Sequence, residues 1–173
     1  MANADKIETA GWAERVEQLV RLVPGLGKYQ DREGLREADK RIRTYLAELL
    51  GNLTRPLEAA QRHLVDGKWL DRLSTLDRIG RQMRTLADRV RFASYGFAGV
   101  FAAHKIRQPE LTALHDFDVK LLEEIPRLQT CLQALADKAT EPTGFAEAAQ
   151  AAEDECGRFE QVLDERDRLA RGL

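Results

Sequence analysis

Apolar residues recur along the chain at steps of three and four, and nowhere do they alternate with period two for long enough to make a strand. Trp12, Val16, Leu19, Val20 and Val23 define a short amphipathic helix that Pro24-Gly25 stops. A second helix opens near Gln30–Asp31, where Asp31 and Glu33 suit the positive end of a helix dipole. Its stripe reads Leu35, Ala38, Ile42, Tyr45, Leu49, Leu53, Leu57, Ala60 and Leu64. Pro56 cannot donate into a helix, so a bend, or a restart after Gly51-Asn52, is expected there. Asp66-Gly67 closes the second helix, and Trp69, Leu73, Leu76, Gly80, Met83, Leu86, Val90 and Ala93 outline a third that ends before Pro109. The fourth carries Leu111, Leu114, Asp118, Leu121, Ile125, Leu128, Leu132 and Leu135, a coiled-coil-like 3-4 alternation with a kink expected at Pro126. Glu141-Pro142-Thr143-Gly144 is a turn, and Phe145, Ala148, Ala152, Cys156, Phe159, Leu163 and Leu169 outline the fifth helix.

Long helices joined by short turns must reverse direction at each turn. The expected fold is therefore all-α: an up-down-up-down bundle of four long helices with the short N-terminal helix packed on it. Residues 11–173 form a single domain, and residues 1–10, which carry no pattern, are expected to be flexible. Antiparallel neighbours pair at positions of constant sum. This places Asp118 level with Ala98, with Arg166 or Arg168, and with the charged run Arg36 to Arg41. It also puts Cys131 opposite position 155, beside Cys156.

One stretch departs from the charge-rich habit of the rest. From Phe92 to Ala103 there is no charged residue, and Phe92, Tyr95, Phe97 and Phe101 surround Gly96 and Gly99. A helix interior loses about 1 kcal/mol per Gly relative to Ala, so glycines among large rings mark a close approach of another backbone or an apolar partner. The stretch is too short to span a bilayer, which needs about 20 apolar residues.

Composition narrows the field. The net charge of −2 gives no overall field for nucleic acid or anionic lipid. Charge is nevertheless uneven: residues 66–107 hold 9 basic and 4 acidic side chains, residues 108–173 hold 7 basic and 15 acidic. The arginines at 72, 78, 81, 84, 89 and 91 wrap around their helix rather than forming a stripe, so no nucleic-acid partner is expected. Two cysteines are too few for a secreted disulfide framework, and no basic start leads into an apolar run of signal-peptide type, so a cytoplasmic location is expected.

The segments GKYQDREGLREADKRIR and LADRVRFASYGFAG resemble a group of uncharacterised bacterial all-helical proteins, a likeness that spans residues 25–125 and implies no activity.

Candidate chemistry is sparse. Asp118 occupies an apolar seam position, where a carboxylate needs a partner or a proton. Arg91, Arg166, Arg168 and the Tyr95 hydroxyl are its expected partners, with Asp118 and Arg91 as buried polar residues. His63, His104 and His115 are scattered and read as surface residues, and no Glu-x-x-His tetrad, phosphate loop or nucleophile–histidine pair is present. No catalytic residue, metal or cofactor is expected. The expected role is a non-enzymatic module for protein–protein interaction or scaffolding, through another protein or self-association, with Phe92, Tyr95, Gly96, Phe97, Gly99 and Phe101 as its patch. The alternative is a weakly membrane-associated protein using residues 12–23 and 92–103. A less favoured one is an enzyme or apolar-ligand carrier centred on Asp118.

If Gly96 and Gly99 admit a neighbouring backbone, an added methyl should destabilise by about 1–3 kcal/mol per site. If they are ordinary helix positions, Gly→Ala should instead stabilise by about 0.4–1 kcal/mol. Thermal melts of Gly96→Ala and Gly99→Ala separate the two by sign, and destabilisation at Gly96 is the expected result.

Overall fold

The computed structural model describes residues 14, 16–26, 32–65, 69–93 and 108–172, with the side chains of 32–36, 65, 108–112 and 171–172 left aside. Every regular element among the described residues is helical. A helical segment covers 16–22. It is followed by α1 (Arg32–Asn52), α2 (Arg55–Val65), a 3-10 turn (Leu70–Arg72) running into α3 (Leu73–Phe92), α4 (Gln108–Lys138) and α5 (Phe145–Gly172). Tyr95, Gly96, Phe97, Gly99, Phe101 and His104 lie outside the described residues.

The break between α1 and α2 has a local cause. Gly51 and Asn52 end α1, a buried turn at Leu53-Thr54 follows, and the Thr54 amide bonds back to the Gly51 carbonyl at 3.3 Å. The Thr54 hydroxyl lies within donating distance of the Gly51 carbonyl (2.9 Å) and the Glu58 carboxylate (3.0 Å), and the Thr54 carbonyl accepts the Glu58 amide at 3.0 Å, which opens α2. Pro56 then sits in the first turn, where a missing N–H costs no intrahelical bond. Pro126, by contrast, leaves α4 unbroken. Gly25 (φ 70°) and Gly144 (φ 84°) supply the left-handed conformations that end the N-terminal segment and precede α5. The Gly144 carbonyl accepts the Ala148 amide at 3.0 Å, which opens α5.

Two compact units emerge, one drawn from Met1–Leu46, Val90–Leu122 and Val162–Leu173, the other from Ala47–Arg89 and Glu123–Gln161. In the first, the N-terminal segment buries Leu19, Val23 and Leu26, while α1 and α4 bury Ala38, Ile42, Leu46, Leu114 and Leu121. In the second, Leu50, Leu57, Leu76, Met83, Leu128 and Phe159 are fully enclosed. From Leu114 to Leu135 the anticipated stripe of α4 is buried at every step. The stripe of α1 is not: after Ile42 it runs through Leu46 and Leu50, and Tyr45 and Leu49 are only half-buried. Successive steps of four keep Leu46 and Leu50 on the Ile42 face, and the Tyr45 hydroxyl remains at its margin.

The second unit is locked by Arg72, one of the arginines that wrap around α3 and its preceding turn, and a buried one. Its Nη1 donates to the carbonyls of Lys138 (3.0 Å), Ala139 (2.9 Å) and Glu141 (2.7 Å). These include C-terminal carbonyls of α4 that lack intrahelical donors and carry the negative end of its dipole. The guanidinium also lies 4.0 Å from the Trp69 ring centre and 4.7 Å from that of Phe145. The two thiols fall in this unit as well, both reduced. Burial, then neighbouring Cys131, push the Cys156 thiol up to about 12.

Arg72→Met should destabilise by about 2–4 kcal/mol in urea unfolding, since a charged donor to carbonyls is lost while the carbonyls stay covered. Arg72→Lys should recover only part of this, because an ammonium cannot keep the planar stacking between two rings. A change below about 0.5 kcal/mol for Arg72→Met would show that water satisfies those carbonyls equally well.

Candidate functional site

Charges gather in the first unit, on the faces that α1, α4 and α5 bury. Asp39 and Arg43 stand one turn apart on α1, His115 and Asp118 stand three residues apart on α4, and Arg166 lies on α5. All five are buried, Asp118 to 1% exposure and Arg166 to 2%. Arg43 Nε donates to Asp39 Oδ2 at 2.9 Å. Arg166 Nη2 donates to Asp39 Oδ1 at 3.0 Å, and Arg166 Nε donates to Asp118 Oδ1 at 2.6 Å. The remaining Asp118 oxygen faces His115 Nδ1 at 3.5 Å. At the other end of this chain of contacts, Arg43 Nη1 donates to the Arg91 carbonyl at 2.8 Å. That carbonyl belongs to the last turn of α3, so the guanidinium sits where a helix C-terminus attracts a cation.

Two arginines and two aspartates thus compensate one another away from water. Burial by itself would push the Asp118 carboxyl up, but the Arg166 guanidinium and His115 outweigh it and hold the group below the usual carboxylate range. Burial likewise opposes the Arg166 charge, and the two carboxylates overcome it and raise the guanidinium further. Asp118 and Arg166 are therefore held as an ion pair. A carboxylate held ionised, with one oxygen bonded to a guanidinium and the other facing an imidazole at 3.5 Å, is poorly suited to exchange protons near neutrality. The gap beside it, lined by Arg43, Leu46, Val90, Ala93, Leu121, Leu163 and Arg166, has no room for a water molecule.

Several sequence expectations change here. Asp118 is buried, and Arg166 is its partner; Arg168 is exposed. Arg91 was expected to be a buried polar residue, but its side chain is exposed and only its carbonyl enters the network, because position 91 turns away from the Val90 face. His115, expected on the surface, is buried one turn before Asp118; His63 is exposed. Asp39 and Arg43 were not singled out. Their i, i+4 spacing beside Ala38, Ile42 and Leu46 was the available signal, since it puts both charges next to the apolar stripe. Among the described residues no group of three or more His, Cys, Asp or Glu is arranged to hold a metal ion, and no helix is long and apolar enough to cross a membrane. The α3 arginines are largely neutralised: Arg78 pairs with Glu153, Arg81 with Asp77 and Arg89 with Glu160. Phe92, the one described member of the aromatic patch, is 60% exposed.

Asp118→Ala should destabilise by about 3–5 kcal/mol, since Arg166 loses one of the two carboxylates that justify its burial. The folded-state carboxyl is depressed, so its contribution is fully present above the unfolded value of about 3.9 and is lost as the pH falls through the folded one. The difference between wild type and Asp118→Ala should accordingly narrow on acidification below about pH 4. Denaturant titrations at pH 7 and pH 3 measure both; a gap that stays constant would contradict the assigned ionisation.

Comparison with protein-family models, with curated proteins and with solved structures finds no match.

Proposed function

We propose that the chain is a non-enzymatic helical scaffold that binds another protein, or a second copy of itself, through the apolar stretch beginning at Phe92. The exposure of Phe92 carries this reading. A Phe at a helix end, uncovered and followed by eleven more uncharged residues, is a hot-spot type of residue in a region free of charge. The turn that presents it is anchored from within by Arg43 through the Arg91 carbonyl. The closed character of the Asp118 cluster supports a structural role for those charges over catalysis or ligand carriage.

The helices of this scaffold are proposed to alternate up and down, with coiled-coil-like packing along α4. Residue pairings within each unit support the alternation. Arg43 meets residue 91 and Asp118 meets Arg166, as antiparallel neighbours would. Arg78 and Arg89 of α3 meet Glu153 and Glu160 of α5, advancing together as next-but-one helices would.

The membrane-associated alternative draws on Leu22, which is 38% exposed, together with Phe92. The apolar face it needs from the N-terminal segment is largely committed elsewhere, because Leu19, Val23 and Leu26 are buried in the first unit. The charges of that segment are mixed, and Arg21 pairs with Glu17 at 2.5 Å. A cytoplasmic site of action accords with this reading.

A photo-reactive phenylalanine at position 92 should cross-link to one defined partner in the native cell, or to a second copy of the chain. With that partner purified, Phe92→Asp should weaken binding at least about tenfold without lowering stability. Strong co-sedimentation with anionic vesicles at physiological salt, lost in Phe92→Asp, would favour the membrane reading instead.

A further inference from the structure

Arg43 of α1 is a buried cation whose bonds point in two directions. Its Nε donates to Asp39 Oδ2 at 2.9 Å, which fixes the plane of the guanidinium, and its Nη1 then reaches the Arg91 carbonyl at 2.8 Å. Asp39 is held in its turn. Arg166 Nη2 donates to its other oxygen at 3.0 Å, and Arg166 Nε donates to Asp118 at 2.6 Å. Four charge-assisted bonds thus run in series from α4 to the last turn of α3, all within the first unit.

The residue that follows the Arg91 carbonyl is Phe92, with 60% of its surface exposed. The last carbonyls of a helix have no intrahelical donor, and a terminal turn opens readily unless something takes them up. Here the donor comes from the interior and not from solvent. The gap at this point, lined by Arg43, Val90 and Arg166 among others, has no room for a water molecule, so on that side the guanidinium has no rival.

We propose that Arg43 is a positioning residue for the Phe92 surface, and that the buried ions thereby set how tightly this surface binds. The binding half of the proposal rests on the role given to Phe92 above. With Arg43 in place, α3 stays wound through Phe92 and the ring is presented in one orientation, so little freedom is lost on binding. With the hold released, the turn frays and a partner must order it at the expense of affinity. A substitution at Asp39, itself buried, should therefore be felt at an exposed ring beyond it.

Hydrogen exchange of the full chain tests the positioning without a partner. In Arg43→Met the amides of residues 89–92 should exchange at least about tenfold faster than in wild type, while the α5 amides around Leu163 change by less than about twofold. Arg43→Lys should fall between the two, since one ammonium replaces a fork that meets both acceptors. Asp39→Asn acts one bond further back and should speed exchange of the same amides, so the test survives if the Arg43 variants fail to fold. A photo-reactive phenylalanine at position 92 supplies the binding readout: at equal protein level, Arg43→Met should lower its cross-linking yield at least about threefold. Unchanged exchange at 89–92, or acceleration spread evenly over the unit, would overturn the positioning role and leave Arg43 merely structural. Undiminished cross-linking despite faster exchange would overturn the link to binding. Failure of the Phe92 reading itself looks different, because position 92 then cross-links to nothing even in the wild-type background.

Discussion

A guanidinium taken out of water must carry its counter-charges with it, and Arg166 does so by holding Asp39 with one nitrogen and Asp118 with another. Nearly every other polar group of that unit's interior depends on this one. Asp39 in turn orients Arg43, Arg43 reaches the end of α3, and His115 covers the far side of Asp118. Hydrophobic contacts tolerate sliding by a fraction of a turn, but charged hydrogen bonds at 2.6 to 3.0 Å do not. The network therefore selects one register of α1, α4 and α5 from the several that their leucine stripes would allow.

The second unit reaches the same end by another route. Arg72 spends its charge on backbone carbonyls, not on carboxylates, and lies between two aromatic rings. Its position couples the start of α3 to the end of α4. In both units a buried arginine closes a helix C-terminus: Arg43 serves α3 and Arg72 serves α4. The abundance of arginine over lysine fits this use, since a planar fork can meet several acceptors at once and is more weakly hydrated than an ammonium.

In the interaction we propose, these anchors matter because the exposed Phe92 follows directly after a carbonyl that a buried side chain holds in place. A recognition element at such a site loses little freedom on binding, which favours affinity without requiring a large contact area.

The stripe of α4 from Leu114 to Leu135, the turns at Gly25 and Gly144, and the restart after Gly51-Asn52 were legible in the sequence, because each follows from local rules of periodicity and backbone conformation. Asp118 was legible too, as a charge on an apolar seam. Its company was legible only in part: the hairpin register put it level with Arg166, Arg168 and the run Arg36 to Arg41, but Arg91 and Tyr95 had an equal claim, and partners 48 and 127 residues apart are settled only by packing. Arg91 and Arg43 show the difficulty: both flank buried positions, yet one side chain turns outward and the other reaches across to its carbonyl. Periodicity tells which face of a helix is dry. Which charges meet on that face depends on how the helices are paired and rotated, and only tertiary packing decides that.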